Sequence, residues 1–213
     1  YRSSGPVILT ANLLENIFRI KRINANLAKS IYSKYFFYNF LKKKNILGLN
    51  TYCYLNNKKI KKTKMQVIKP DAPIYGKKNV FLYSGHKKND FFHRCKKESH
   101  NNKVNVSDYY GGVDISSFYL IDNKINLINL ISHIQEFNTF KNNKIYHFGN
   151  CTPPIYSNNL LIKYKEEIDK SIIRLYDDFY GIMSISSKIT TENNILPYEI
   201  NVGLSGDNFA DHM

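Results

Sequence analysis

The chain has 213 residues, 43% of them hydrophobic and 14% aromatic, and carries 31 Lys and Arg against 17 Asp and Glu, a net charge of +14. That length can bury a core without disulfides, the apolar content excludes intrinsic disorder, and no run reaches the roughly 20 apolar residues of a membrane span. Cys53, Cys95 and Cys151 are an odd, widely spaced set that suits a reducing cytoplasm rather than a disulfide framework.

In chain order, Tyr1 to Pro6 shows neither an initiator Met nor a signal-peptide pattern, which reads as the start of a piece of a longer protein. Ile23 to Leu41 has apolar residues at helical spacing, and Asn45 and Gly48 mark its stop. Lys42-Lys43-Lys44 and Lys58-Lys59-Ile60-Lys61-Lys62 fall at expected turns. Lys, Asn, Ile and Tyr are abundant together, as AT-rich coding bias produces. The basic charge therefore reads as a solvated surface, or a match to an anionic small substrate, ahead of a nucleic-acid partner.

Met65 to Lys69 reads as a short buried strand turning at Pro70, and Asn79 to Ser84 as the next strand. His86 to Asn102 is polar and reads as a loop with room for a short helix; its His86, His93, Cys95 and His100 match no zinc spacing. Val104 to Tyr110 and Val113 to Ile121 are strand-like around Gly111-Gly112, and Ile125 to Phe137 continues in β style. Leu160 to Phe179 repeats apolar residues at three- and four-residue steps, an amphipathic helix. Gly181 to Ile189 and Ile195 to Val202 read as a final hairpin. The fold class is α+β, divided as a helical entry segment (1–50), a small β-rich lobe (51–103) and a larger α+β lobe (104–213).

Four constellations carry chemistry. Ser33-Lys34-Tyr35 opens a helical stretch. Val67-Ile68-Lys69-Pro70-Asp71 is followed by Tyr75-Gly76-Lys77-Lys78-Asn79-Val80. Asp108-Tyr109-Tyr110-Gly111-Gly112-Val113-Asp114 joins two strands. Tyr198-Glu199-Ile200-Asn201 precedes Gly203, Ser205 and Asp207. Strand alternation puts Tyr198, Ile200 and Val202 on one face and Glu199 with Asn201 on the other. Two oxygen ligands so placed can hold a hard cation together with phosphate oxygens.

Taken in order, the four resemble the ATP-grasp superfamily over nearly the whole chain. The resemblance implies two lobes with ATP in the cleft between them, and Mg2+ as the accompanying ion. It implies that Lys34 and Lys69 reach the ATP phosphates, under a closing loop that includes Gly76, Lys77 and Lys78. Asp108 and Tyr109 stand at the hinge that meets the nucleotide, and Asp114 takes the place of a ribose-binding Glu. Glu199 and Asn201 match the metal motif "E-I-N", and Ser205 and Asp207 would face the acceptor.

The implied reaction is ATP-dependent ligation of a small-molecule carboxylate to an amine or similar nucleophile, in the cytoplasm, by a protein that can pair as a homodimer. The chain departs from the pattern at three points. The position about 13 residues before the motif Glu, acidic or Gln in the family, is Ser186; the family's frequent phosphate Arg is replaced by Gly203; and the Tyr75 to Lys78 loop is poor in glycine. The departures imply that a second metal is missing or is held by another group. They leave a nucleotide-binding pseudoenzyme as the alternative to an active ligase, and a basic nucleic-acid-binding protein as the third reading.

Overall fold

A computed structural model describes residues 7–18, 23–56, 65–74, 79–85, 88–122, 127–172 and 179–203. Three helices lead: α1 (Val7–Ile17), α2 (Ala25–Tyr32) and α3 (Lys34–Lys43). There follow β1 (Thr51–Tyr54), β2 (Gln66–Pro70), β3 (Phe81–Tyr83), α4 (Lys88–Lys97), β4 (Val104–Asp108), β5 (Gly112–Asp122), β6 (Leu127–Lys141) and β7 (Lys144–Cys151). Helix α5 (Asn158–Ser171), β8 (Gly181–Thr190) and β9 (Ile195–Val202) complete the described chain. The architecture is α+β. Among the described residues nine strands form one sheet, in the order β1-β4-β2-β3-β7-β6-β5-β8-β9, with antiparallel neighbours. Among the same residues no helix is long and apolar enough to cross a membrane.

The expected single helix over 23–41 is two. Ser33 ends α2 and caps α3 with an extended backbone, φ −129° and ψ 119°, and its hydroxyl accepts from Phe36 N at 3.1 Å. The cause lies 38 residues away: the Ser33 hydroxyl donates to the Asp71 carboxylate at 2.7 Å, and Tyr35 N donates to the same group at 2.9 Å. A carboxylate at a helix N-terminus satisfies its open N–H groups and opposes its dipole.

The polar stretch 86–102 contains a ten-residue helix, α4. Phe91, Phe92 and Cys95 are buried from its inner face, and Phe91 stacks on Phe81 of β3 at 4.5 Å between centroids. Tertiary burial, rather than local periodicity, makes this helix. Strand β6 runs past its expected end to Lys141 and turns into β7 through Asn142 and Asn143, whose φ values of 50° and 62° are those of a tight hairpin turn. Strand β7, β1 and α1 have no counterpart among the sequence expectations. Residues 173–178 of the expected Leu160 to Phe179 helix lie outside the described residues.

Two apolar clusters hold the fold. One packs α1–α3 and α5 on β5, β8 and β9 around Leu27, Phe37, Tyr119, Tyr164 and Ile200. The other packs α4 on β2, β3 and β4 around Ile68, Phe81 and Val106. Each fully buried aliphatic or aromatic side chain contributes roughly 1.5–3 kcal/mol.

Candidate nucleotide and metal site

The chain forms a cavity of about 970 Å³, and Lys34, Lys69, Asp108, Tyr109, Asp114, Glu199 and Asn201 all line it. These residues come from α3, β2, β4 and the segment after it, β5 and β9. Gly76, Lys77, Lys78, Ser205 and Asp207 lie outside the described residues.

The two lysines are placed by one buried acid. Asp71 follows β2 directly, two residues past Lys69, and is 1% exposed. Its carboxylate accepts from Ser33 and Tyr35 N, and from Asn101 Nδ2 at 2.7 Å; its carbonyl accepts from Lys34 N at 3.3 Å. Asp71 therefore ties the first turn of α3, which carries Lys34, to the end of β2, which carries Lys69.

Lys34 Nζ lies 3.2 Å from Glu199 Oε1. Lys69 is buried, its ammonium 5.2 Å from the centroid of the Tyr198 ring. Burial and then the nearby Lys34 charge pull the Lys69 pKa down to about 8, against the opposing pull of Glu199, Asp114 and Asp71. Burial, and then the negative charges of Asp114, Glu136 and Glu199, push Tyr198 well above the ordinary phenol range, so it is a neutral hydroxyl here.

Tyr198 corrects the strand-alternation expectation. The β8–β9 register runs Ser186 opposite Glu199 and then Ser187 opposite Pro197, so a β-bulge leaves Tyr198 as the extra residue. Tyr198 lines the cavity beside Glu199 instead of facing away from it. Ile200 keeps its expected place in the core, 1% exposed.

Asp114 is already engaged on both oxygens. Lys188 Nζ lies 2.9 Å from Oδ1, and Asn138 Nδ2 donates to Oδ2 at 2.9 Å. Asp108 Oδ2 accepts from Asn50 at 3.5 Å, and Tyr109 N donates to Met65 O at 3.0 Å. These contacts hold the end of β4 and the residue after it against the residues that lead into β1 and β2.

The donor set at β9 fits magnesium. Ser184 pairs with Asn201 and Ser186 with Glu199, so neighbouring positions carry two hydroxyls, an amide and a carboxylate. All present oxygen, the donor that a hard divalent cation prefers. Among the described residues no three His, Cys, Asp or Glu side chains converge as a ready-made metal site. A magnesium ion held here would complete its coordination shell with oxygens from outside the protein, such as phosphate or water.

Asp71, Glu136, Asn138, Lys188 and Tyr198 have no role among the sequence expectations. One signal could have flagged Glu136: it is the only acidic residue among the 15 residues of β6. The Lys188–Asp114 and Asn138–Asp114 contacts join strands that only the sheet topology makes neighbours.

No protein-family profile matches the sequence, and no curated protein matches it. Solved structures do match by shape. An L-amino acid ligase from Bacillus licheniformis aligns with a TM-score of 0.74 at 9% identity, over 97% of this chain and 54% of the ligase. The N5-carboxyaminoimidazole synthetase of Staphylococcus aureus, solved with ADP, aligns with a TM-score of 0.69 at 15% identity, over 89% of this chain and 49% of the synthetase. The biotin carboxylase domain of the Hydrogenobacter thermophilus 2-oxoglutarate carboxylase, solved with MgADP and bicarbonate, aligns with a TM-score of 0.72 at 11% identity, over 92% of this chain and 45% of that one. The chain spans about half the length of these structures, and the likeness is one of fold.

Proposed function

We propose, from the ATP-grasp fold that this chain has, that its cavity binds ATP with Mg2+ and serves a ligase joining a carboxylate to an amine or similar nucleophile. The observation that carries the reading is the meeting of Lys34, Lys69, Glu199 and Asn201, from three distant segments, along one cavity.

In this reading the two ammonium groups take the phosphates, and burial leaves Lys69 poorly solvated without an anion. Glu199 and Asn201 hold the magnesium, which when bound neutralises phosphate charge. Asp108, Tyr109 and Asp114 lie along the nucleoside end. Phosphoryl transfer draws mainly on positioning and charge neutralisation, which these residues supply. A carboxylate oxygen attacks the γ-phosphorus, the bond to the bridging oxygen breaks, and ADP leaves an acyl phosphate. The amine then attacks the acyl carbon, loses a proton and expels phosphate.

The test is release of ADP and phosphate across a panel of acids and amines, with Lys69→Ala as control. Release that depends on both substrates and is lost in Lys69→Ala supports the proposal; release unchanged in that variant contradicts the site. A second reading, nucleotide binding without turnover, is favoured by one observation. The β8 positions opposite Glu199 and Asn201 are serines, so β8 brings no carboxylate to the metal. Binding of MgATP with no release on any substrate pair would select it.

A further inference from the structure

Ser186 stands opposite Glu199, where a second acid would help hold a cation, and a chain of hydroxyls connects it to one. Ser186 Oγ lies 2.8 Å from Ser116 Oγ on β5, and Ser116 Oγ donates to Glu136 Oε1 on β6 at 2.7 Å. Glu136 is directly opposite Asp114 in the register, and its longer side chain reaches diagonally along β5 to Ser116. Like charges facing each other across a strand pair repel. Here Lys188 neutralises Asp114 from the other side, while the Glu136 oxygen engages Ser116.

The proton count then orients the chain. A hydroxyl has one proton and two lone pairs. Ser116 spends its proton on Glu136, so in the Ser116–Ser186 bond Ser186 is the donor. Both hydroxyl protons point toward Glu136, and the two lone pairs of Ser186 are left for a group on the β9 side. Hydrogen bonds in series polarise one another, so part of the carboxylate charge is expressed at the Ser186 oxygen.

Resting on the proposed MgATP site, we propose that Glu136 is the second acid of that site, acting through Ser116 and Ser186. Ser186 would accept a hydrogen bond from a water on the ion or lend the ion a lone pair, and Glu136, which lines the same cavity from two strands away, would supply the charge behind it. Glu136 is thus a positioning residue. An outer-shell carboxylate of this kind changes metal affinity by about tenfold or more when removed.

The experiment is a titration with Mn2+ in the presence of ATP, following the free ion by electron paramagnetic resonance, with thermal melts of every variant. Glu136→Gln removes the charge, and Ser116→Ala cuts the chain while keeping it. Each is expected to weaken Mn2+ binding about tenfold. Adding Ser186→Asp, which places an acid directly opposite Glu199, is expected to restore affinity in both backgrounds. Wild-type affinity in Glu136→Gln alongside lost affinity in Glu199→Gln would overturn the relay and leave the nucleotide site standing. Failure of Ser186→Asp to rescue variants that melt as the wild type does would also overturn the relay. Mn2+ binding indifferent to Glu199→Gln would overturn the site itself.

Discussion

Lys34 and Glu199, 165 residues apart in the chain, form an ion pair of 3.2 Å, with side chains 12% and 29% exposed. A proposed phosphate ligand and a proposed metal ligand therefore satisfy each other when the cavity holds neither. In the proposed site, binding of MgATP would exchange this pair for two others, lysine with phosphate and carboxylate with the cation.

The exchange predicts effects of opposite sign in one variant. Lys34→Met should strengthen binding of Mn2+ without nucleotide, because one cation that competes for Glu199 is removed, and weaken ATP binding about tenfold through loss of a charge-assisted contact. Paramagnetic resonance reads the first and calorimetry the second; a shift of both in the same direction would exclude the exchange.

Lys69 predicts a pH dependence whose sign can be worked out. Its folded pKa is about 8 and its ordinary value 10.5. Between these the unfolded chain holds more protons than the folded one, so stability rises with pH across that window. The unfavourable contribution is full below pH 8, on the order of 3 kcal/mol, and fades by pH 10.5. Lys69→Met should raise the melting temperature at pH 7 and flatten its rise from pH 8 to 10, while removing nucleotide binding. Thermal melts at four pH values from about 7 to 10 measure this.

The same lysine predicts proton uptake on binding. Phosphate anions beside Lys69 raise its pKa, so ATP binding near pH 8.5 should draw a proton from the buffer. Calorimetry in buffers of different ionisation enthalpy should give a positive uptake that is absent in Lys69→Met.

Asp71 predicts coupling between stability and binding. Asp71→Ala leaves Ser33, Tyr35 N and Asn101 without their acceptor and should cost about 2–4 kcal/mol by chemical denaturation. Because it ties both lysine-bearing segments, the folded fraction should also bind ATP several-fold more weakly. Normal affinity in the folded fraction would make Asp71 purely structural.

Gly112 opens β5 at φ +122°, and a Cβ there would lie 2.0 Å from Ile189 O and 2.9 Å from Thr190 Cα. Gly112→Ala should cost on the order of 3 kcal/mol in thermal denaturation, through strain at the β5–β8 pairing.

What could be read from the sequence follows from the range of the interactions. Ile195–Val202 was legible as a strand because its apolar pattern is local, and Lys69-Pro70 because proline closes a strand by its own geometry. Ser33-Lys34 was legible as the opening of a helical stretch, but the end of a separate helix just before it was not, because Asp71 fixes that break from 38 residues away. Tyr198 defied alternation because a bulge is a property of two strands together. Helix α4 was legible only as room for a short helix within a polar loop, because its buried face needs only Phe91, Phe92 and Cys95. Lys34, Lys69, Asp108, Asp114 and Glu199 were legible one by one, whereas Glu136 and Lys188, which line the same cavity, were not, because the contacts that give them a place cross strands and exist only in the folded sheet.

The most direct test of the central claim is isothermal titration of the wild-type protein and Lys69→Ala with ATP, with and without Mg2+. One nucleotide per chain, Mg2+-dependent, and weakened at least about tenfold in Lys69→Ala is the expected result. No binding, or binding indifferent to both the metal and Lys69, would contradict it.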